Sequence, residues 1–155
     1  MANKQRCIVL PVDGSENAER AYDFYRANIQ RPGDYIVVVH VVEPPNFSSM
    51  GMIGLNLPTE EWTKIIQENN QKASKLEATW CDKMRADGTA FKYQHVMCNK
   101  PGSGIVDLAT EAGGDLIIMG NRGLGKIRRT VMGSVSDYVL HHAHVPVVIV
   151  PPPHK

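Results

Sequence analysis

A doubly wound α/β fold with a parallel sheet is predicted for this chain, on three observations. Short, wholly apolar runs alternate with amphipathic stretches along its 155 residues. Two of those runs differ from the rest, one by strict alternation and one by flanking prolines. A glycine-rich segment without any acid follows directly on the fourth run.

Each element follows from local chemistry. Cys7 to Val12 is continuously apolar and β-branched, as a strand buried on both faces requires. Ser15 is a good helix cap, and Ala18, Ala21, Tyr22, Tyr25 and Ile29 follow at helical spacing. Pro32-Gly33-Asp34 punctuates, and Tyr35 to Val42 reads as a second buried strand. Pro58-Thr59-Glu60-Glu61 opens a long helix: Thr59 can cap, and the two acids suit the positive helix start. The stripe Trp62, Ile65, Ile66, Ala73, Leu76, Trp80 and Met84 reads as core packing, and Gly88 ends it.

Thr89 to Met97 alternates, so one face is expected to be partly wet and the strand to lie at an edge. Gly102-Ser103-Gly104 lacks the third glycine of a dinucleotide fingerprint and reads as a turn. Ile105, Leu108, Ala109 and Ala112 mark a third helix, and Asp115 to Met119 a fourth strand ending on Gly120. Val135, Tyr138, Val139 and His142 suggest a fourth helix. Pro146 to Val150 is a fifth strand whose prolines suit an edge. Helical crossovers between buried strands imply one parallel sheet of five strands with helices on both faces. With no internal repeat and no linker, residues 1–155 are expected to form one domain. Glu43 to Leu57 is aperiodic yet apolar and glycine-bearing, which reads as either disordered or functional.

Composition excludes several classes. Seventeen basic and sixteen acidic side chains leave a net charge of +1, which argues against a nucleic-acid binder. No apolar run approaches the ~18 residues of a membrane span. The polar start gives no signal-peptide pattern. Cys7, Cys81 and Cys98 are odd in number and widely spaced, so free thiols in a reducing cytoplasmic setting are expected.

The chemistry concentrates after the fourth strand, in Gly120-Asn121-Arg122-Gly123-Leu124-Gly125-Lys126 and on to Gly133-Ser134. Arg122, Lys126, Arg128 and Arg129 place four positive charges within eight residues, with no acid from Leu116 to Ser136. Glycines let backbone approach an anion, and a helix opened by Ser134 offers free N–H groups and a favourable dipole. This matches a phosphate cradle. Gly120-x-x-x-x-Gly125-Lys126 looks like a P-loop, but Ile127 stands where the magnesium-holding hydroxyl belongs.

The spacing that fits is Gly, two residues, Gly, nine residues, Gly-Ser, met by Gly120, Gly123 and Gly133-Ser134. With Ile8-Val9-Leu10-Pro11-Val12-Asp13-Gly14-Ser15, His40-Val41-Val42, Ile117-Ile118-Met119-Gly120 and Val145 to Val150, the whole chain resembles the ATP-binding branch of the universal stress protein family. The resemblance implies strand order 3-2-1-4-5, which agrees with the two strands read independently as edges. Open α/β sheets bind ligands at the carboxyl ends where strand order reverses, here between the first and fourth strands.

The resemblance further implies that Val41 meets the adenine, with Pro11 and Val12 near the same end of the nucleotide. Asp13 would face the ribose or a bound metal such as magnesium. Met119 and Gly120 would line the cradle, and Gly123, Gly133, Ser134, Val135 and Ser136 would supply donors to the phosphates. Arg122 and Lys126 join the site on charge and position alone. A homodimer through Pro146–Val150 is expected, both from the exposed edge and from the family.

Other readings stand beside these. Asp13 also reads as a turn residue, the basic run as a solvated loop, and Val41 as core. His40 reads as a strand-end residue. His141, His142 and His144 suit a helix end rather than a metal site. A nucleotide-dependent regulator is the leading function. A magnesium-dependent ATP hydrolase or phosphotransferase, or a dimeric interaction module without nucleotide, remains open. Whether AMP or cyclic AMP competes with ATP is open too.

Overall fold

The computed structural model describes residues 4–44, 59–121 and 132–153. Nine elements follow in order: β1 (Cys7–Pro11), α1 (Glu16–Asn28), β2 (Tyr35–Val42), α2 (Thr59–Ala86), β3 (Ala90–Met97), α3 (Pro101–Glu111), β4 (Leu116–Gly120), α4 (Ser134–His142) and β5 (Val147–Val150). The five strands form one sheet in the order β3-β2-β1-β4-β5, and every pairing is parallel. The strands read as edges, β3 and β5, are the edges.

Strand alternation sorts the core onto two faces. Ile8, Leu10, Ile36 and Val38 join Tyr22, Tyr25, Trp80 and Met84 on the side of α1 and α2. Cys7, Val9, Val37 and Val39 join Ile105, Leu108 and Val139 on the side of α3 and α4. All five residues of β1 are buried, which explains why its sequence shows no alternation.

Two expectations need correction. Gly102-Ser103-Gly104 is not a turn but the first turn of α3, opened by Pro101. A Cβ at Gly102 would stand 2.7 Å from the Tyr138 ring, and one at Gly104 would stand 3.0 Å from Val41. The glycines therefore serve close packing of α3 on α4 and β2, which local sequence reads only as punctuation. The α2 stripe is also not all core. Trp80 and Met84 are buried, Leu76 packs partly against them, and Ile66 is 46% exposed. A helix of 28 residues is ~42 Å long, whereas an eight-residue strand spans ~26 Å, so its amino-terminal half overruns the sheet.

At the amino ends of the strands, charges are fully paired. Arg6 donates to both carboxylate oxygens of Asp34, at 2.8 and 2.6 Å, and to the Ile29 carbonyl at 3.0 Å. The Tyr25 hydroxyl and the Arg31 N–H complete the shell of Asp34. Burial opposes ionisation of this carboxyl, whose side chain is 3% exposed, but its four donors outweigh burial and lower its pKa to about 2. Asp115 likewise accepts from the Cys7 N–H at 2.8 Å and from Lys4 at 2.9 Å.

Asp34→Asn leaves Arg6 partly buried without its counter-ion and is expected to cost about 3 kcal/mol. Because the folded-state pKa lies below the unfolded one, the carboxylate's contribution is complete above pH ~4 and disappears as pH falls through about 2. Thermal unfolding should show wild type losing about 2 kcal/mol more than the variant across that interval. Parallel curves for the two proteins would contradict the network's role.

Candidate nucleotide site at the reversal of strand order

β1 and β4 are neighbours, yet their crossovers run to opposite sides, to β2 and to β5. Their carboxyl ends open a cleft of about 100 Å3 between the described residues. Ten residues expected from sequence line it together: Pro11 at the end of β1 with Val12 and Asp13 after it, Val41 on β2, Met119 and Gly120 on β4, and Gly133 to Ser136 at the start of α4. Arg122, Gly123 and Lys126 lie outside the described residues, as does most of Glu43 to Leu57.

Its two halves differ chemically. One is apolar, walled by Val39, Val41, Ile105 and Pro101, with Glu43 also in the lining. The other gathers two helix starts. α4 begins at Gly133, which has no side chain to cap the helix amides. α1 begins at Ser15, but the Ser15 hydroxyl and N–H both donate to Asp13 Oδ1, at 2.5 and 3.1 Å, so it does not cap either. Each helix therefore points its first-turn amides and positive dipole end at the same space without a cap from its own N-cap side chain. The expectation that Ser15 caps α1 is met in position but not in bonding.

Gly120 is required for steric reasons. A Cβ there would lie 2.4 Å from the Asn17 carbonyl oxygen, a backbone atom of the first turn of α1. Sequence reasoning selected Gly120 for an anion, whereas the structure shows that it also lets α1 seat against β4. Ser15, Asn17 and Ala18 line the cleft and escaped sequence reasoning. Their signal was their position in the first turn after Asp13-Gly14, read only as a helix start.

A second hollow adjoins the first and shares Asp13, Ser15, Val41 and Glu43 with it. It lies between α2 and the ends of β1 and β2, and includes His40 and Trp80. The His40 Nδ1 is buried without a hydrogen-bond partner. Burial lowers its pKa, the adjacent His95 adds to that, and Asp13 opposes it. At the far end of α4, the His142 ring stacks on Tyr138 at 3.9 Å and His141 lies 3.3 Å from Asp137. Among the described residues no three or more His, Cys, Asp or Glu side chains gather in a way that could hold a metal. No described helix is long and apolar enough to cross a membrane.

The sequence model of the universal stress protein family matches residues 5–151. The chain belongs to the universal stress protein family. A relative encoded beside a sulfhydrylase in Thermus aquaticus, itself named a universal stress protein, is 31% identical over 146 residues, covering 94% of this chain and 98% of its own. An Arabidopsis thaliana family member solved with AMP bound superposes with a TM-score of 0.69 at 18% identity, covering 96% of this chain and 92% of its own. A universal stress protein solved in complex with cAMP gives 0.58 at 23% identity, with 94% and 95% coverage. At those identities the two structures speak for the shared fold.

For this universal stress protein, Gly120→Ala should push α1 off β4 and lower the melting temperature by several degrees, because the clash is with backbone that has no rotamer to escape into. Unchanged melting would mean that α1 can shift at no cost.

Proposed function

We propose that this universal stress protein binds an adenine nucleotide, with ATP preferred, and acts in the cytoplasm as a nucleotide-dependent regulator in the stress response. The single domain spans residues 1–155 in this reading. The observation that carries it is the pairing, in one cleft, of an apolar slot with two helix starts whose first-turn amides receive no cap from Ser15 or Gly133. An adenine ring suits the slot beside Val41, and phosphates suit amides that no side chain has claimed. Relatives of the same fold solved with AMP and with cAMP support the ligand class. ATP is favoured over these by the four basic residues from Arg122 to Arg129, which match a more highly charged phosphate chain.

In this reading Pro11 and Val12 flank the base end, Asp13 faces the ribose, and Met119 and Gly120 form the floor. Gly123, Ser134, Val135 and Ser136 hold the phosphates, Gly133 lets them approach closely, and Arg122 and Lys126 neutralise them. Magnesium would arrive on the phosphates, with Asp13 as the protein carboxylate facing it, since the described residues gather no metal cage of their own.

Calorimetry with ATP, AMP, cAMP, adenosine and GTP tests the reading. ATP should bind, and Gly133→Val should weaken it about a hundredfold, or ~2.8 kcal/mol. The backbone of Gly133, at φ −60° and ψ 150°, accepts any residue, so the fold should survive and the loss would report close approach of the ligand. Wild-type affinity in a folded Gly133→Val protein would remove the phosphates from this place. Arg122→Ala should shrink the preference for ATP over adenosine, as should added salt.

The same reading includes a homodimer through Pro146–Val150. β5 pairs only with β4 among the described strands, leaving one edge open. Beside it Phe24, 40% exposed, and Pro151 to Pro153 border an apolar hollow. Val148→Lys or Ile149→Lys would set like charges facing each other across a two-fold axis. Sedimentation velocity at low micromolar concentration should shift both variants to monomer with nucleotide binding retained. A persistent dimer would move the interface elsewhere.

A further inference from the structure

We propose that Asn121 is a positioning residue of this site, latching the start of α4 to the end of β4 and thereby choosing which amides face the ligand; the inference rests on the nucleotide reading above. Asn121 is the first residue after β4, and its own N–H donates to the Val150 carbonyl at 3.1 Å, fastening it to the end of β5. Its side-chain oxygen accepts from the Gly133 N–H at 2.9 Å, across eleven intervening positions of sequence. Beside it the Ser136 hydroxyl donates to the Gly120 carbonyl at 3.3 Å. Two side-chain bonds thus hold the first turn of α4 against the last residue of β4 and the one that follows it.

The consequence is a division of labour among the amides of α4. A helix start leaves four N–H groups without intrahelical partners. The latch consumes the one on Gly133, so those of Ser134, Val135 and Ser136 carry no side-chain cap. They lie on residues that line the cleft, whereas Asn121 does not line it and acts only through Gly133. Without the latch, the Gly133 amide would compete for the ligand and the helix start would lose its fixed distance from Gly120. Closing a segment of about this length costs chain entropy that a ligand would otherwise have to supply.

The side-chain type matters. An acceptor is needed at this reach, and Asn provides it without charge. Asp would accept as well, and more strongly, but would set a negative charge beside the same amides that the ligand's phosphates must use. Asn121→Ala and Asn121→Asp therefore separate the latch from the charge.

The test uses the full chain, with calorimetry for ATP and for adenosine and amide hydrogen exchange at Gly133 without nucleotide. Wild type should protect the Gly133 amide, Asn121→Asp should keep that protection, and Asn121→Ala should lose at least about tenfold of it. ATP affinity should fall about tenfold in both variants while adenosine affinity holds, because only the phosphate end is disturbed. Compared with wild type at the same salt, raising salt should close the ATP deficit of Asn121→Asp and not that of Asn121→Ala. Equal losses for ATP and adenosine would reduce Asn121 to a structural residue, and free exchange at Gly133 in wild type would overturn the latch outright. If Asn121→Ala does not fold, the aspartate variant and wild-type exchange still decide. If wild type binds no adenine nucleotide, the site reading fails, and the latch stands or falls on the exchange at Gly133 alone.

Discussion

β1 can exist as a strand only if both its faces and both its edges are covered, and the remaining architecture follows from that requirement. Its five residues expose almost nothing. Covering two faces with a single chain demands helices on both sides, and parallel pairing to β2 and β4 sends the crossovers in opposite directions. The chain leaves the carboxyl ends of β1 and β4 toward opposite faces of the sheet. The cleft is what remains where the chain has been forced to turn away from its own centre.

The two ends of the sheet handle polar groups in opposite ways. At the amino ends, Arg6, Asp34, Tyr25, Asp115 and Lys4 satisfy one another and the neighbouring backbone. At the carboxyl ends, Ser15 and Gly133 give their helices no side-chain cap and His40 Nδ1 is buried without a partner, as is the Tyr93 hydroxyl midway along β3. Unmet hydrogen-bonding capacity in a folded core costs stability, and a ligand at the carboxyl ends would return part of that cost. Stability is anchored at one end of the strands, and helix amides are left available at the other.

Packing against glycine links the two. Gly120 carries no Cβ because the Asn17 backbone occupies that space, and Gly102 carries none because Tyr138 does. The same contacts set where the first turns of α1 and α4 sit relative to β4. A substitution at either glycine therefore acts on the fold and on the cleft together, which is why their sequence signal was read as ligand chemistry in one case and as a turn in the other.

Edge identity was legible because it is encoded locally, while strand order and ten of the seventeen cleft residues were legible through the family resemblance. Burial on both faces removes alternation from a strand, an edge restores it or tolerates proline, and a helix start after glycine advertises itself. What local pattern cannot carry is the partner of a contact across the fold. The Asn121 to Gly133 bond, the Asn17 backbone against Gly120, the diversion of Ser15 from its cap to Asp13, and the overrun of α2 beyond the sheet all depend on distances between separate elements. The sequence by itself determined which segments are strands and helices, which strands are central, and where a cleft must open. Only the tertiary structure decided which helix amides stay uncapped in that cleft, because that depends on which side chains arrive there once the elements have packed.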